Sequence, residues 1–193
     1  MAHPPTHRHD DGTEHPGHDH DEACAIAHGD VPAPTTHRRL VAVFASPVAL
    51  ELAHFAGHVG FEVVVLDPDR DRASGRITRA SSVAEAGLDD RTDVVFTDHD
   101  RAELGDLLAD VLREEPRWVG VMGSLRHSAP HVEALRARGF ADEAIARVHR
   151  PIGLDIGSRS PAEIAVATVA GLLADRNDRS GGFFTASATS TAG

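Results

Sequence analysis

The stretch RRLVAVFASPVALELAHFAGHVGFEVVVLDP, residues 38–68, decides the fold. Leu40–Phe44 is a continuous apolar run and Glu62–Leu66 is largely a second. Strands that are apolar throughout, rather than at alternate positions, are buried on both faces. Between them Ser46-Pro47 starts a helix, with proline at the first helical position, where its missing N–H has no partner to lose. Val48, Leu52, Phe55 and Val59 then fall on one helical face. Gly60 is placed to end that helix in a left-handed conformation, and Asp67-Pro68 closes the second strand. Strand, helix, strand in about thirty residues is a βαβ unit, whose strands run parallel.

The pattern continues downstream. Asp93–Thr97 reads as a third strand, and Leu104, Leu107, Leu108, Val111 and Leu112 form a helical stripe stopped by Pro116. Trp118–Met122 reads as a fourth strand. Gly123-Ser124 opens a helix that turns Val132 and Leu135 inward and is capped by Gly139. Residues 142–148 read as a short helix, and Pro151–Ile156 as a fifth short strand or extended stretch. Ser160-Pro161-Ala162-Glu163 is a capping box that launches a last helix to about Ala174. The expected fold class is α/β: a Rossmann-like, doubly wound, mainly parallel sheet with helices on both faces. It occupies residues 38–176, with disordered tails at 1–37 and 177–193.

Composition bounds the function. The 193 residues are 41% hydrophobic and 25% charged, which describes a globular chain. All 19 basic residues are arginine, against 30 acids, for a formal net charge of −11. Such a chain repels phosphate backbones, so nucleic acid is not the expected partner. No apolar run approaches the roughly 20 residues that span a bilayer. The N-terminus lacks the apolar core of a signal peptide, so the expected location is the cytoplasm. A single cysteine, Cys24, excludes an internal disulfide.

Residues 1–37 hold eight of the 14 histidines, with seven acids and one arginine. Two readings stand for this segment. His18 and His20 with Cys24 offer two imidazoles and a thiolate to a divalent metal such as zinc, nickel or copper. Alternatively, the segment is a solvated acidic tail, since the spacing matches no closed zinc pattern.

In parallel sheets ligands bind beyond the carboxyl ends of the strands. That rule selects Ala45–Val48, Asp67, Thr97–Asp100, Gly123–Arg126 and the stretch from Asp155 to Ser158. A dinucleotide site wants glycines in the first turn, so that backbone can approach the pyrophosphate. Here the turn is Ala45-Ser46-Pro47, without glycine. Asp67 nevertheless lies 21 residues after Ser46, where a ribose-binding acid belongs; its other reading is a strand terminator before Pro68. Gly123, Ser124 and Arg126 form either an anion site at a helix N-terminus or an ordinary capped helix. In Thr97-Asp98-His99-Asp100, His99 serves as general base or metal ligand oriented by Asp98 or Asp100; otherwise one of these acids caps the next helix. On fold and spacing alone, an NAD(P)-dependent oxidoreductase is one reading, with Asp67 on the ribose and His99 as acid and base.

Three stretches carry a resemblance: GVMGSLRH (120–127), HVEALRARGF (131–140) and VHRPIGLDIGSRSPAEIAVATVAGLL (148–173). Together with VVFTDHD (94–100) they resemble the C-terminal Rossmann domain of the XdhC/CoxI family. Its members are accessory proteins of molybdenum hydroxylases such as xanthine dehydrogenase and carbon monoxide dehydrogenase. PIGLDIGSRSPAEIA is the most specific part, and the resemblance covers about residues 39–176. It implies a protein that handles the molybdenum cofactor before insertion into a client subunit, without turnover of its own. The chain departs from the family in three places. The family's first turn is usually glycine-rich. Two arginines usually follow its Gly-Ser, where Leu125 and Arg126 stand here. A separate N-terminal domain with a Gly-Cys element is common, and 193 residues leave no room for it. A separate protein that supplies that domain is therefore an expected partner.

Overall fold

Parallel strands need crossovers, and the apolar runs separated by helices supply them. The structure, a computed structural model, describes residues 22–32, 37–72, 77–123 and 130–182. Among these, six strands form one sheet: β1 (Arg38–Val43), β2 (Phe61–Leu66), β3 (Thr78–Ala80), β4 (Thr92–Phe96), β5 (Trp118–Val121) and β6 (Val148–His149). Their order is β3-β2-β1-β4-β5-β6, and every neighbouring pair is parallel. This is the Rossmann order, with its reversal between β1 and β4.

Alternate side chains go to opposite faces of the sheet. Val41, Val43, Val94, Phe96, Val119 and Val121 join a core with α3 (Val83–Ala86), α4 (Leu104–Arg113), α5 (Pro130–Ala137) and α6 (Asp142–Ala146). Leu40 and Val95 join a second core with α2 (Pro47–His58) and α7 (Pro161–Arg176). The sheet is thus covered on both faces, as continuously apolar strands require. Helix α7 begins with the expected capping box: Ser160 Oγ accepts from the Glu163 N–H at 3.2 Å, and the Glu163 carboxylate accepts from the Ser160 N–H at 3.2 Å.

The structure differs from the sequence reading in three places. Strand β3 and helix α3 were not foreseen, because three- and four-residue elements carry no period. The short helix expected at 142–148 ends at Ala146, and Val148–His149 becomes the edge strand. Pro151–Ile156 is not a strand but a loop against α7. The Leu154 N–H donates to the Ala167 carbonyl at 3.1 Å. Gly153, at φ +84°, leaves room for only 3.2 Å between a would-be Cβ and the Ala167 backbone. Gly171 on α7 opens the space that Gly153 fills. Two facing glycines draw this segment onto the helix rather than the sheet.

Helix α1 (Glu22–His28) belongs to a separate unit, residues 1–36. It carries Cys24 and ends at Gly29, which has φ +80°. His18 and His20 lie outside the described residues.

At the amino edge of the sheet, Asp93 of β4 is fully buried. Its carboxylate accepts from Arg117 Nε at 2.5 Å and from Arg176 Nε at 2.7 Å, tying β4 to the start of β5 and the end of α7. Burial pushes the Asp93 carboxyl up from the usual range, and the two arginines pull it back. Removing one partner of such a cluster strands the others. Asp93→Ala is expected to lower unfolding stability by about 3 kcal/mol in urea denaturation. A loss under about 1 kcal/mol, the range of surface pairs, would contradict this role.

Candidate functional site at the carboxyl edge

Because every strand points the same way, all their carboxyl ends meet one edge. The first turn there is built without glycine. Phe44 follows β1 with φ +72°, a conformation unfavourable to bulky residues. Its N–H donates to the Leu66 carbonyl at 2.7 Å, and its carbonyl accepts from the Ser46 N–H at 2.9 Å. Thr97 Oγ1, after β4, lies 2.9 Å from the Phe44 carbonyl and 3.1 Å from that of Val43. Ser46 Oγ donates to Thr97 Oγ1 at 2.8 Å and accepts from the Ala49 N–H at 3.1 Å, capping α2.

Asp67, after β2, is 2% exposed. Its Oδ2 accepts from the Ala45 N–H at 2.9 Å and its Oδ1 from the Asp69 N–H at 3.0 Å. The acid therefore does more than end a strand, because it clamps the first turn across 22 residues. Arg101 completes the group. Its Nη1 is 3.4 Å from Asp67 Oδ2, its Nη2 donates to Glu103 at 2.8 Å, and its guanidinium lies 4.7 Å from the Phe44 ring centroid. The Glu103 hydrogen bond raises the already high pKa of Arg101; burial opposes this and Asp67 adds to it. Glu103 in turn falls to about 2, chiefly through its hydrogen bond from Arg101. Arg101 escaped the sequence reading. Its one local signal was an acid two residues on, for its other partners are remote in sequence.

His99 Nε2 is 3.7 Å from Asp100 Oδ1. Asp98 accepts from the Asp100 N–H at 3.0 Å and so closes a local turn. Neither acid caps α4, which starts after Glu103 without a side-chain cap. His99, Asp100 and Arg101 face Pro130 and Ala134 of α5 across a groove of about 450 Å³. At the end of β5, Gly123 has φ +153°, and the guanidinium of Arg150 lies against it. His131 of α5 is 4% exposed, and its Nδ1 has no hydrogen-bond partner among the described residues. Asp155 lies exposed on the loop that packs against α7. Ser124 and Arg126 fall outside the described residues. The structure thus joins Ser46 to Thr97 directly, ties Asp67 to the same turn through the Ala45 N–H, and sets His99 and Asp100 on the neighbouring loop. Among the described residues no three His, Cys, Asp or Glu side chains gather as a metal site.

Burial, with the charge of Arg150 second, holds the His131 imidazole below its ordinary pKa. The unfolded chain takes up that proton near pH 6.5, so folding favours the neutral ring. This contribution is present above about pH 6.5 and is lost as pH falls below it. His131→Leu is expected to flatten the fall of stability on acidification from about pH 6.5, as measured by urea midpoints across pH. An unchanged pH profile would contradict the burial of a neutral ring.

Comparison with known proteins agrees with this architecture. The XdhC Rossmann domain family matches residues 40–172. The uncharacterized protein YqeB of Escherichia coli K12 is 34% identical over 158 residues, covering 75% of this chain but only 28% of YqeB. The crystal structure of a xanthine dehydrogenase from Bacillus halodurans superposes with a TM-score of 0.61 at 24% identity, over 74% of this chain and 44% of that one, a likeness of fold. With two thirds of its length matched over both cores and the carboxyl edge, the chain belongs to the XdhC family through its Rossmann domain.

Proposed function

We propose that this chain is an accessory protein in the maturation of a molybdenum hydroxylase such as xanthine dehydrogenase, and that it handles the molybdenum cofactor as cargo before insertion. Membership in the XdhC family over residues 40–172 is the observation that carries this reading. The first turn supports it. A redox dinucleotide needs open backbone at the first turn, whereas here Asp67 and Thr97 fasten that backbone and Arg101 lies on Phe44. The carboxyl edge holds His99 and Arg101 along one groove and Gly123 at the end of β5, and by the sequence reading Ser124 and Arg126 contribute to cargo binding with them. The Asp98 carboxylate holds the turn that carries His99, Asp100 lies beside the imidazole, and Asp155 is assigned a part in cargo binding on the sequence reading alone.

The matched region is 28% of YqeB. The alternative reading of the histidine-rich segment is a divalent-metal role through His18, His20 and Cys24. An NAD(P)-linked activity draws on the strand order and on the position of Asp67. Both Asp67 oxygens, however, already accept backbone N–H groups.

Deletion of the gene is expected to leave the client molybdenum hydroxylase present but poorly active, with low cofactor occupancy. Normal activity and occupancy in the deletion strain would overturn the proposal. A thermal-shift titration with NAD(P)H is expected to show no stabilisation. Cofactor at 100 times its dissociation constant would otherwise add about 2.7 kcal/mol, and that result would favour the oxidoreductase.

A further inference from the structure

Helix α2 carries two histidines that neither the fold nor the candidate site uses. Its buried face is Ala49, Leu52 and Ala56, whereas His54 and His58 are exposed. Residues four apart lie one above the other on a helix, so both imidazoles leave the same face. Their ring centroids are 4.8 Å apart with the planes at 82°. Among the described residues neither ring is held by a hydrogen bond or an ion pair. The space beside them is open. A Cβ on Gly57 would meet nothing within 4 Å, and His54 and Gly57 stand on the wall of a hollow of about 430 Å³.

We propose that His54 and His58 chelate a divalent transition-metal ion of the zinc, nickel or copper class on the outer face of α2. Imidazole is the ligand these ions share. A metal about 2.1 Å from each ring nitrogen stands about 3.2 Å from each ring centre, and at a near-tetrahedral angle those centres are about 5 Å apart. The two rings are already at that separation. The surroundings favour a cation. Helix α2 ends at His58, and the last turn of a helix presents its negative end. Glu51 lies three residues before His54 on the same side of the helix, and the net charge of −11 draws cations to the whole chain. Two protein ligands leave the other positions of the metal to water or to a donor group of a small molecule, for which the hollow beside His54 has room. The end of α2 adjoins the start of β2, at the edge of the sheet opposite the candidate site. The metal site is therefore independent of cargo handling at the carboxyl edge.

The test uses the full-length protein and nickel(II) chloride, followed by the backbone amide signals in NMR. Paramagnetic nickel broadens signals near the site it occupies, so α2 is read separately from residues 1–37, which hold eight further histidines. Saturable broadening centred on residues 54–58 is expected. Zinc chloride, which has no unpaired electrons, is expected to displace the nickel and restore these signals, and magnesium chloride at the same concentration is not, because magnesium takes oxygen ligands. His54→Gln and His58→Gln, both at exposed positions away from the core, are each expected to weaken nickel binding at α2 about tenfold or more, since even the groups behind a metal ligand carry that much. Broadening confined to residues 1–37 with nickel in excess, unchanged affinity at α2 in either variant, or displacement by magnesium as readily as by zinc would overturn the proposal.

Discussion

The Asp67 carboxylate holding the Ala45 N–H is the contact on which the carboxyl edge of the sheet depends. It joins the end of β2 to the turn after β1, while Thr97 joins the end of β4 to the same turn. Three neighbouring strands are thereby locked at their carboxyl ends by side chains. Phe44 shows why the lock is needed. Its left-handed backbone costs about 1–2 kcal/mol, and its ring is buried at 1% exposure. Hydrogen bonds at about 1 kcal/mol each and the Arg101 guanidinium over the ring offset that strain. Glycine would remove the strain, together with a large core side chain that meets Phe96 edge to face at 6.0 Å.

This substitution of side chains for glycine separates fold from ligand chemistry. The strand order is that of dinucleotide-binding domains, yet the feature that makes such a domain bind pyrophosphate is replaced. Charge placement follows the same division. Asp93 with Arg117 and Arg176 fastens the amino edge of the sheet. At the carboxyl edge, Arg101 is anchored by Asp67 and Glu103, and Arg150 lies against Gly123. The amino edge is fastened by this charge cluster, and the carboxyl edge holds the candidate site.

Much of this was legible in residues 38–68, because continuous apolar runs and a proline-started helix report burial directly. Strands β1, β2, β4 and β5 and helices α2, α4 and α7 follow from local pattern. The loop at 151–156 misled because Ile152, Leu154 and Ile156 alternate like a strand. What places them is the approach of Gly153 to Gly171, a tertiary contact with no local sign. Arg101 was invisible for a related reason, since its partner Asp67 is 34 residues away. The apolar pattern points to Val132, but His131 is the more deeply buried. Residue type argued for the valine, while the helix phase, set by Leu135 one turn on, argued for the histidine. The resemblance in GVMGSLRH and PIGLDIGSRSPAEIA located the family, but the clamp on the first turn came only from geometry.

Amide hydrogen exchange at Ala45 tests the clamp most directly. If Asp67 fixes the first turn, the Ala45 N–H exchanges only with global unfolding, as slowly as the amides of β1 and β4, and Asp67→Ala removes that protection at this position first. Rapid exchange of Ala45 in the native protein, while β1 and β4 stay protected, would contradict the account.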